Sequence, residues 1–101
     1  MVYFIEVKDG PIKIGYTSRS IGQRFKELQS GCPYPLKVLA VIDEGDLLME
    51  RRLHESYSLW RVPFTNEWYE RDPLMRFVES INKTARRIAT GGLIQVEEIA
   101  D

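Results

Sequence analysis

Six polar side chains within the first 54 residues are of types that bind or transform anionic substrates: Tyr3, Lys13, Tyr16, Arg24, Glu50 and His54. A guanidinium binds an anion through two parallel hydrogen bonds. A carboxylate is a ligand for hard divalent metals, and an imidazole can transfer protons near neutral pH. Glu50 and His54 lie four residues apart on a predicted helix, so they share one face. These groups can form one site only if the hairpin, the first helix and the second helix meet.

The elements that must position these groups begin with a β-hairpin. Residues 2–7, VYFIEV, and 12–17, IKIGYT, are rich in β-branched and aromatic residues, and KDGP between them predicts a turn. Ser20 is a predicted N-cap, with Gln23 completing a capping box, for a helix over residues 21–29. Arg24 then lies at the edge of the apolar face formed by Ile21, Phe25 and Leu28.

The rest of the chain predicts one more strand and two more helices. LKVLAVID, residues 36–43, is apolar enough for a central strand, and residues 45–60 predict a helix with Met49, Leu53 and Tyr57 on one face. Residues 61–70 predict a loop with at most a short extended piece. A further helix follows RDP and ends at TGG; the last residues fit either a strand or a tail. We therefore predict an α+β fold of order β-β-α-β-α-α, with a three-stranded antiparallel sheet flanked by helices.

Length and composition predict one domain over residues 1–101. One cysteine, Cys32, excludes an internal disulfide, and with a single histidine a Cys/His zinc site is excluded as well. No apolar run is long enough for a membrane span or resembles a signal peptide, so we expect a cytoplasmic protein with no membrane partner. Net charge is −1, but basic and acidic segments alternate. This alternation fits an ordinary solvated surface or a phosphate-binding face around an acidic metal site.

The order of the motifs resembles the GIY-YIG endonuclease superfamily over roughly residues 1–70. VYF stands in the place of the first tyrosine-bearing strand motif, KIG in the place of YIG, and YTS in the place of the glycine–Thr/Ser turn. QRF places Arg24 where the family keeps a helical arginine, and ERRLH matches the Glu-x-x-Leu pattern that begins at Glu50. NEWYE is similar to the ending of a compact branch common in phage proteins, which also has KIG and Glu-x-x-Leu-His.

The chain departs from the family pattern at three points. Met1–Val2 replaces the glycine of the first motif, and Lys13 stands where the second motif has tyrosine, which does not exclude catalysis. The late asparagine of the family has only Asn66 as a candidate. Residues 71–101 match nothing in the pattern.

The resemblance implies metal-dependent hydrolysis of phosphodiester bonds in DNA. Glu50 would bind one ion, Mg²⁺ or Mn²⁺, and Arg24 would hold a nonbridging phosphate oxygen, with Lys13 and Thr17 also contacting the substrate. No small-molecule cofactor is expected. Further candidate site residues are Asn66, Glu67 and the basic side chains of the last helix, Arg76, Lys83 and Arg87.

Proton transfer in this scheme falls to three groups. Tyr3 would position or deprotonate the attacking water, His54 would relay a proton, and Tyr16 would present a second hydroxyl to the phosphate.

Ordinary structural roles remain open for each of these residues taken alone. The tyrosines can be strand aromatics, the stem of Arg24 can cover apolar neighbours, and Glu50 with His54 can be a helix-surface pair. At the level of the whole chain, three alternatives remain. The chain can be an endonuclease, a catalytically weak or inactive module that binds nucleic acid or protein, such as a phage regulator or antidefence factor, or a subunit active only in an assembly such as a homodimer.

Overall fold

The computed structural model describes residues 1–88 and 94–95, with side chains described through residue 84. The described chain contains strands β1 (Val2–Val7), β2 (Ile12–Tyr16), β3 (Leu36–Ile42), β4 (Trp68–Tyr69) and β5 (Ile94–Gln95). Its helices are α1 (Ile21–Ser30), α2 (Leu47–Ser56) and α3 (Arg71–Ile88), with a 3-10 turn at Ser58–Trp60. The predicted α+β class and the predicted order of the main elements are confirmed.

The strands form one antiparallel sheet in the order β4-β2-β1-β3-β5. The hairpin turns at Asp9, which has φ 55°, and Gly10 closes it with a hydrogen bond to the carbonyl of Val7. In the hairpin register Tyr3 lies opposite Gly15 and Ile5 lies opposite Lys13. Because side chains alternate along a strand, these four residues share one face of the sheet.

Both faces of β1 are covered, which explains why VYFIEV is apolar at almost every position. On one face Val2, Phe4 and Ile14 pack with the apolar side of α3 and with partly buried residues of α2. On the other face Tyr3, Ile5 and Val38 pack with Ile21 and Phe25 of α1. The sheet therefore separates α1 from α2 and α3.

Side-chain caps and one ion pair place the helices on the sheet. Ser20 accepts a hydrogen bond from the backbone N–H of Gln23, as the sequence predicts, and Asp46 caps α2 in the same way through Met49. Arg71 donates to Glu6 at 2.6 Å, which joins the first turn of α3 to β1 across 65 residues of sequence.

The predicted number of strands and two predicted helix boundaries are wrong. The sheet is not limited to three strands, because the two-residue strands β4 and β5 pair with β2 and β3. The second helix ends at Ser56 rather than running to residue 60, since a 3-10 turn follows it. The last helix begins at Arg71 rather than after Pro73, because proline is tolerated in the first turn of a helix. In the described part of the chain no helix combines the length and apolar character that crossing a membrane requires.

Gly15 gives the first testable prediction. A Cβ at this position would lie 2.6 Å from Cε1 of Tyr3 and closer still to Cζ and the hydroxyl oxygen. Gly15→Ala must therefore push the buried ring aside, and we expect the free energy of unfolding in urea to fall by about 1–3 kcal/mol.

Gly22 offers the matched control, because nothing lies within 4 Å of a Cβ added there and it sits in the first turn of α1. Gly22→Ala should leave stability unchanged or raise it by up to about 1 kcal/mol, since alanine favours helix. Equal stability of Gly15→Ala and the wild type would contradict the close packing of Tyr3 on β2.

Candidate active site

Tyr3 and Arg24 form the first polar cluster, at the edge of the core between β1 and α1. Tyr3 is only 1% exposed, yet its hydroxyl accepts a hydrogen bond from Nε of Arg24 at 3.3 Å. The position of Arg24 follows directly from this packing, because its neighbour Phe25 is buried in the same core and holds that side of α1 on the sheet. The hydrogen bond to Tyr3 raises the pKa of Arg24, partly opposed by desolvation.

Glu27 completes this cluster on the solvent side. Nη1 of Arg24 donates to its carboxylate at 3.2 Å, and Nη2 of Arg19 donates to the same oxygen at 2.6 Å. These two guanidinium groups, Arg19 first, hold the pKa of Glu27 below its usual 4.5. Arg24 therefore keeps one donor on a buried phenol and turns another toward an exposed anion, which a phosphate could replace.

Glu50, His54 and Glu67 form the second cluster. One ligand atom from each lies within 4.8 Å of the others, and all three side chains are partly buried. Nε2 of His54 is 3.7 Å from Oε2 of Glu50, which confirms that the four-residue spacing brings these groups together on α2. Glu67 immediately precedes β4, and its carboxylate lies close to both of these side chains.

The imidazole of His54 is held in one orientation by Tyr69. Nδ1 of His54 is hydrogen-bonded to the hydroxyl of Tyr69, whose ring is fully buried in β4. Arg61 donates to the same hydroxyl and to the backbone carbonyl of His54, each at 3.4 Å. The other ring nitrogen, Nε2, is therefore the one that faces Glu50.

Lys13 is buried at 7% exposure and lies between the ring of Trp68 and the carboxylate of Glu67. Its ammonium is 5.8 Å from the Trp68 ring centroid, and it donates a hydrogen bond to Glu67. The register places Lys13 on the same sheet face as Tyr3. Lys13 thus connects the face that carries Tyr3 with the cluster that contains Glu50 and His54.

A cleft of about 310 Å³ opens over the second cluster. The residues that line it come from α2 and from the segment before β4, and they include Glu50, Arg51, His54, Arg61, Asn66 and Glu67. Two carboxylates and an imidazole, with Arg51 and Arg61 lining the same cleft, can accept a divalent cation and a neighbouring anion. The donor set therefore fits a divalent metal ion.

The remaining predicted site residues lie elsewhere or play structural parts. Tyr16 is partly buried against the core that α2 and α3 cover. The hydroxyl of Thr17 accepts from the backbone N–H of Arg19, which stabilises the turn before α1. Arg76 and Lys83 are exposed on α3. The side chain of Arg87 lies outside the described residues.

Sequence reasoning missed Tyr69 and Arg61. Both are joined to His54 only by the fold, since β4 must pair with β2 before the Tyr69 hydroxyl can reach the imidazole. In the structure Trp68 and Tyr69 point to opposite faces of the sheet, so Lys13 packs on Trp68 and Tyr69 lies in the core. Such alternation is the signal that a strand leaves in a sequence, but two residues are too few to show it.

Residues 1–89 match the T5orf172 domain family, so the chain belongs to this family. The family is found in phage and in some nuclease-like proteins. The match includes the whole of α3, beyond the first 70 residues that carry the motif resemblance. No curated protein and no solved structure matches the chain.

The lowered pKa of Glu27 gives a pH prediction. A carboxyl group whose pKa is depressed in the folded state stabilises the fold above its unfolded pKa, and this contribution disappears as pH falls through the folded value. Wild type should therefore be more stable than Glu27→Gln near neutral pH, and the difference should shrink in acid as the pH falls through the lowered folded-state pKa. Urea unfolding near neutral pH and at a series of acidic pH values measures this. A difference that persists unchanged in acid would contradict ion pairing of Glu27 with Arg19 and Arg24.

Proposed function

We propose that this member of the T5orf172 domain family is a metal-dependent endonuclease that hydrolyses phosphodiester bonds in DNA. The observation that carries the proposal is the convergence of Glu50, His54 and Glu67 on a cleft that Arg51 and Arg61 also line. Carboxylates with an imidazole suit a divalent metal, and adjacent guanidinium groups suit the phosphate that the metal activates. The occurrence of the family in nuclease-like proteins and the ordered GIY-YIG-like motifs support the same reaction.

The protein's own groups would bind and orient the phosphate from two sides. Arg24 has a guanidinium that is already fixed at Nε by Tyr3, so its terminal nitrogens are oriented for a nonbridging oxygen that displaces Glu27. Lys13 approaches from the next strand on the same face. Tyr3 would position the attacking water through the hydroxyl that Arg24 holds. An ion bound at Glu50, Mg²⁺ or Mn²⁺, would supply positive charge to stabilise the developing phosphorane and the leaving oxygen.

The binding module without catalysis is favoured by a different observation. The ammonium of Lys13 is already neutralised by Glu67, so in the free protein it is engaged by a carboxylate instead of a phosphate. A chain that retained this ion pair on the nucleic acid would bind without cutting. Cleavage and binding must therefore be measured together.

Plasmid cleavage tests the proposal. Supercoiled DNA incubated with the protein should be nicked or linearised in Mg²⁺ or Mn²⁺ and left intact in EDTA. Glu50→Ala, Tyr3→Phe and Arg24→Ala should each lower the rate roughly 10²-fold or more, because each removes a group that acts in the transition state.

Glu55→Ala is the matched control on the same helix, since Glu55 is an exposed carboxylate that does not line the cleft. It should cleave at the wild-type rate. Full activity of Glu50→Ala would refute the assigned site. A folded wild type that shifts DNA in a gel and never cuts it would replace the endonuclease with the binding module.

The proposed auxiliary DNA contacts are basic residues of α3. Arg76 and Lys83 are exposed there, and Arg87 lies farther along the same helix. Changing all three to alanine should weaken DNA binding. The slope of log K for DNA binding against log salt concentration should also become less steep, by about 1 for each phosphate that is no longer neutralised. Fluorescence anisotropy over a series of salt concentrations provides this measurement. An unchanged affinity and slope would remove α3 from the DNA interface and leave it as a solvated face or a surface for a second copy of the chain.

A further inference from the structure

The imidazole of His54 is supported in a way that a helix-surface pair does not require. Its Nδ1 is engaged by a fully buried tyrosine hydroxyl, and Arg61 supports that hydroxyl from the other side. An exposed Glu–His pair gains only a few tenths of a kcal/mol and needs no such support. Histidine ligands of metals are characteristically held in this way, with one ring nitrogen on a protein group and the other on the ion.

The groups around Nε2 complete a ligand set. Glu50 is 3.7 Å away on the same helix, and Glu67 brings a second carboxylate from outside α2 to within 4.8 Å of both. Two carboxylates carry the −2 charge that neutralises a divalent ion. The third donor is a nitrogen, which Mg²⁺ accepts poorly, whereas first-row transition-metal ions bind it with an affinity that rises from Mn²⁺ to the later ions.

We propose that Glu50, His54 and Glu67 together bind one divalent transition-metal ion, of which Mn²⁺ is the representative, in preference to Mg²⁺. The ligand set is larger than the single glutamate that the motif resemblance implies, and it makes His54 a ligand rather than a proton relay. Tyr69 is then a positioning residue that holds the imidazole. The proposal deepens the proposed function and rests on it for the substrate, although metal binding itself can be measured without DNA.

Lys13 makes the proposal specific to this chain. Its ammonium is hydrogen-bonded to Glu67, so a metal ion and a lysine compete for one carboxylate. Positive charge beside the site weakens metal binding, because like charges repel across a short distance. Conversely, a metal ion that binds the carboxylate of Glu67 weakens its ion pair with Lys13. Lys13 lies on the sheet face that carries Tyr3. Metal binding would thereby release Lys13 for the phosphate.

Titration of the whole chain with MnCl₂ in the absence of DNA tests the ligand set. His54 is the chain's one histidine, so its ring proton signals in an NMR spectrum need no assignment. We expect one Mn²⁺ to bind by calorimetry and to broaden these signals first, at concentrations at which MgCl₂ leaves them unshifted. His54→Ala and Glu67→Gln should weaken Mn²⁺ binding roughly 10-fold or more, and Tyr69→Phe by roughly 10–100-fold.

Lys13→Met should change the Mn²⁺ affinity in the opposite direction from Glu67→Gln. The comparison separates the role of Glu67 as a ligand from its role in the ion pair. Both Lys13→Met and Glu67→Gln break the pair, so a loss that arises from the broken pair alone would appear in both. We expect Lys13→Met to tighten Mn²⁺ binding at least roughly threefold. Glu55→Gln, which changes a carboxylate outside the cleft, should bind like the wild type.

Three results would overturn the three-ligand site: wild-type affinity in Glu67→Gln, weaker binding in Lys13→Met, or broadening that spares the His54 signals. Plasmid cleavage by the same preparations separates this failure from failure of the proposed function. Wild-type cleavage by Glu67→Gln would refute the ligand set and leave the endonuclease. Tight Mn²⁺ binding through all three residues, with no cleavage, would refute the endonuclease and leave the metal site.

Discussion

The ring of Tyr3 lying directly over Gly15 is the contact on which the first half of the candidate site depends. Only glycine allows it, because a Cβ would occupy the space of the ring. The contact fixes the position of the phenol at the centre of the hairpin, and the hydroxyl then meets Arg24 from α1. A buried tyrosine normally needs a partner for its hydroxyl. Here the partner is a guanidinium whose remaining donors point outward to Glu27, so a packing requirement and an anion-binding arrangement share the same atoms.

The second half of the site is organised by the edge strand β4. This strand has two residues, yet it places Trp68 against Lys13 and Tyr69 against His54. Glu67, which immediately precedes the strand, pairs with Lys13. Pairing of β4 with β2 therefore brings loop residues to α2, on the opposite side of the sheet from α1. The ion pair between Lys13 and Glu67 joins the two halves and spans 54 residues of sequence. Closing so long a loop costs conformational entropy, which the sheet contacts around this pair must offset.

Most of the fold could be predicted from the sequence because the long elements have clear periods. The hairpin, α1, β3 and α3 each present several apolar residues at strand or helix spacing. The two added strands could be predicted only as a short extended piece in residues 61–70 and as one alternative for the last residues, since two residues carry no period and depend on neighbours already in place. The same limit explains the site: Glu50 and His54 are paired by helix geometry, whereas Tyr69 joins them only through tertiary contacts. Glu67 was a candidate by motif, but its link to Lys13 required the folded sheet.

A double-mutant cycle measures most directly whether Arg24 and Glu50, from opposite sides of the sheet, act on the same phosphate. Single-turnover cleavage of a labelled duplex would be compared for wild type, Arg24→Ala, Glu50→Ala and the double variant. Residues that act as a unit in one transition state give strongly non-additive losses. The double variant should therefore be scarcely slower than the worse single variant. A shared active site would be contradicted if the fold-reductions in cleavage rate of the two single variants multiplied in the double variant. It would also be contradicted if only one of the two substitutions lowered the cleavage rate.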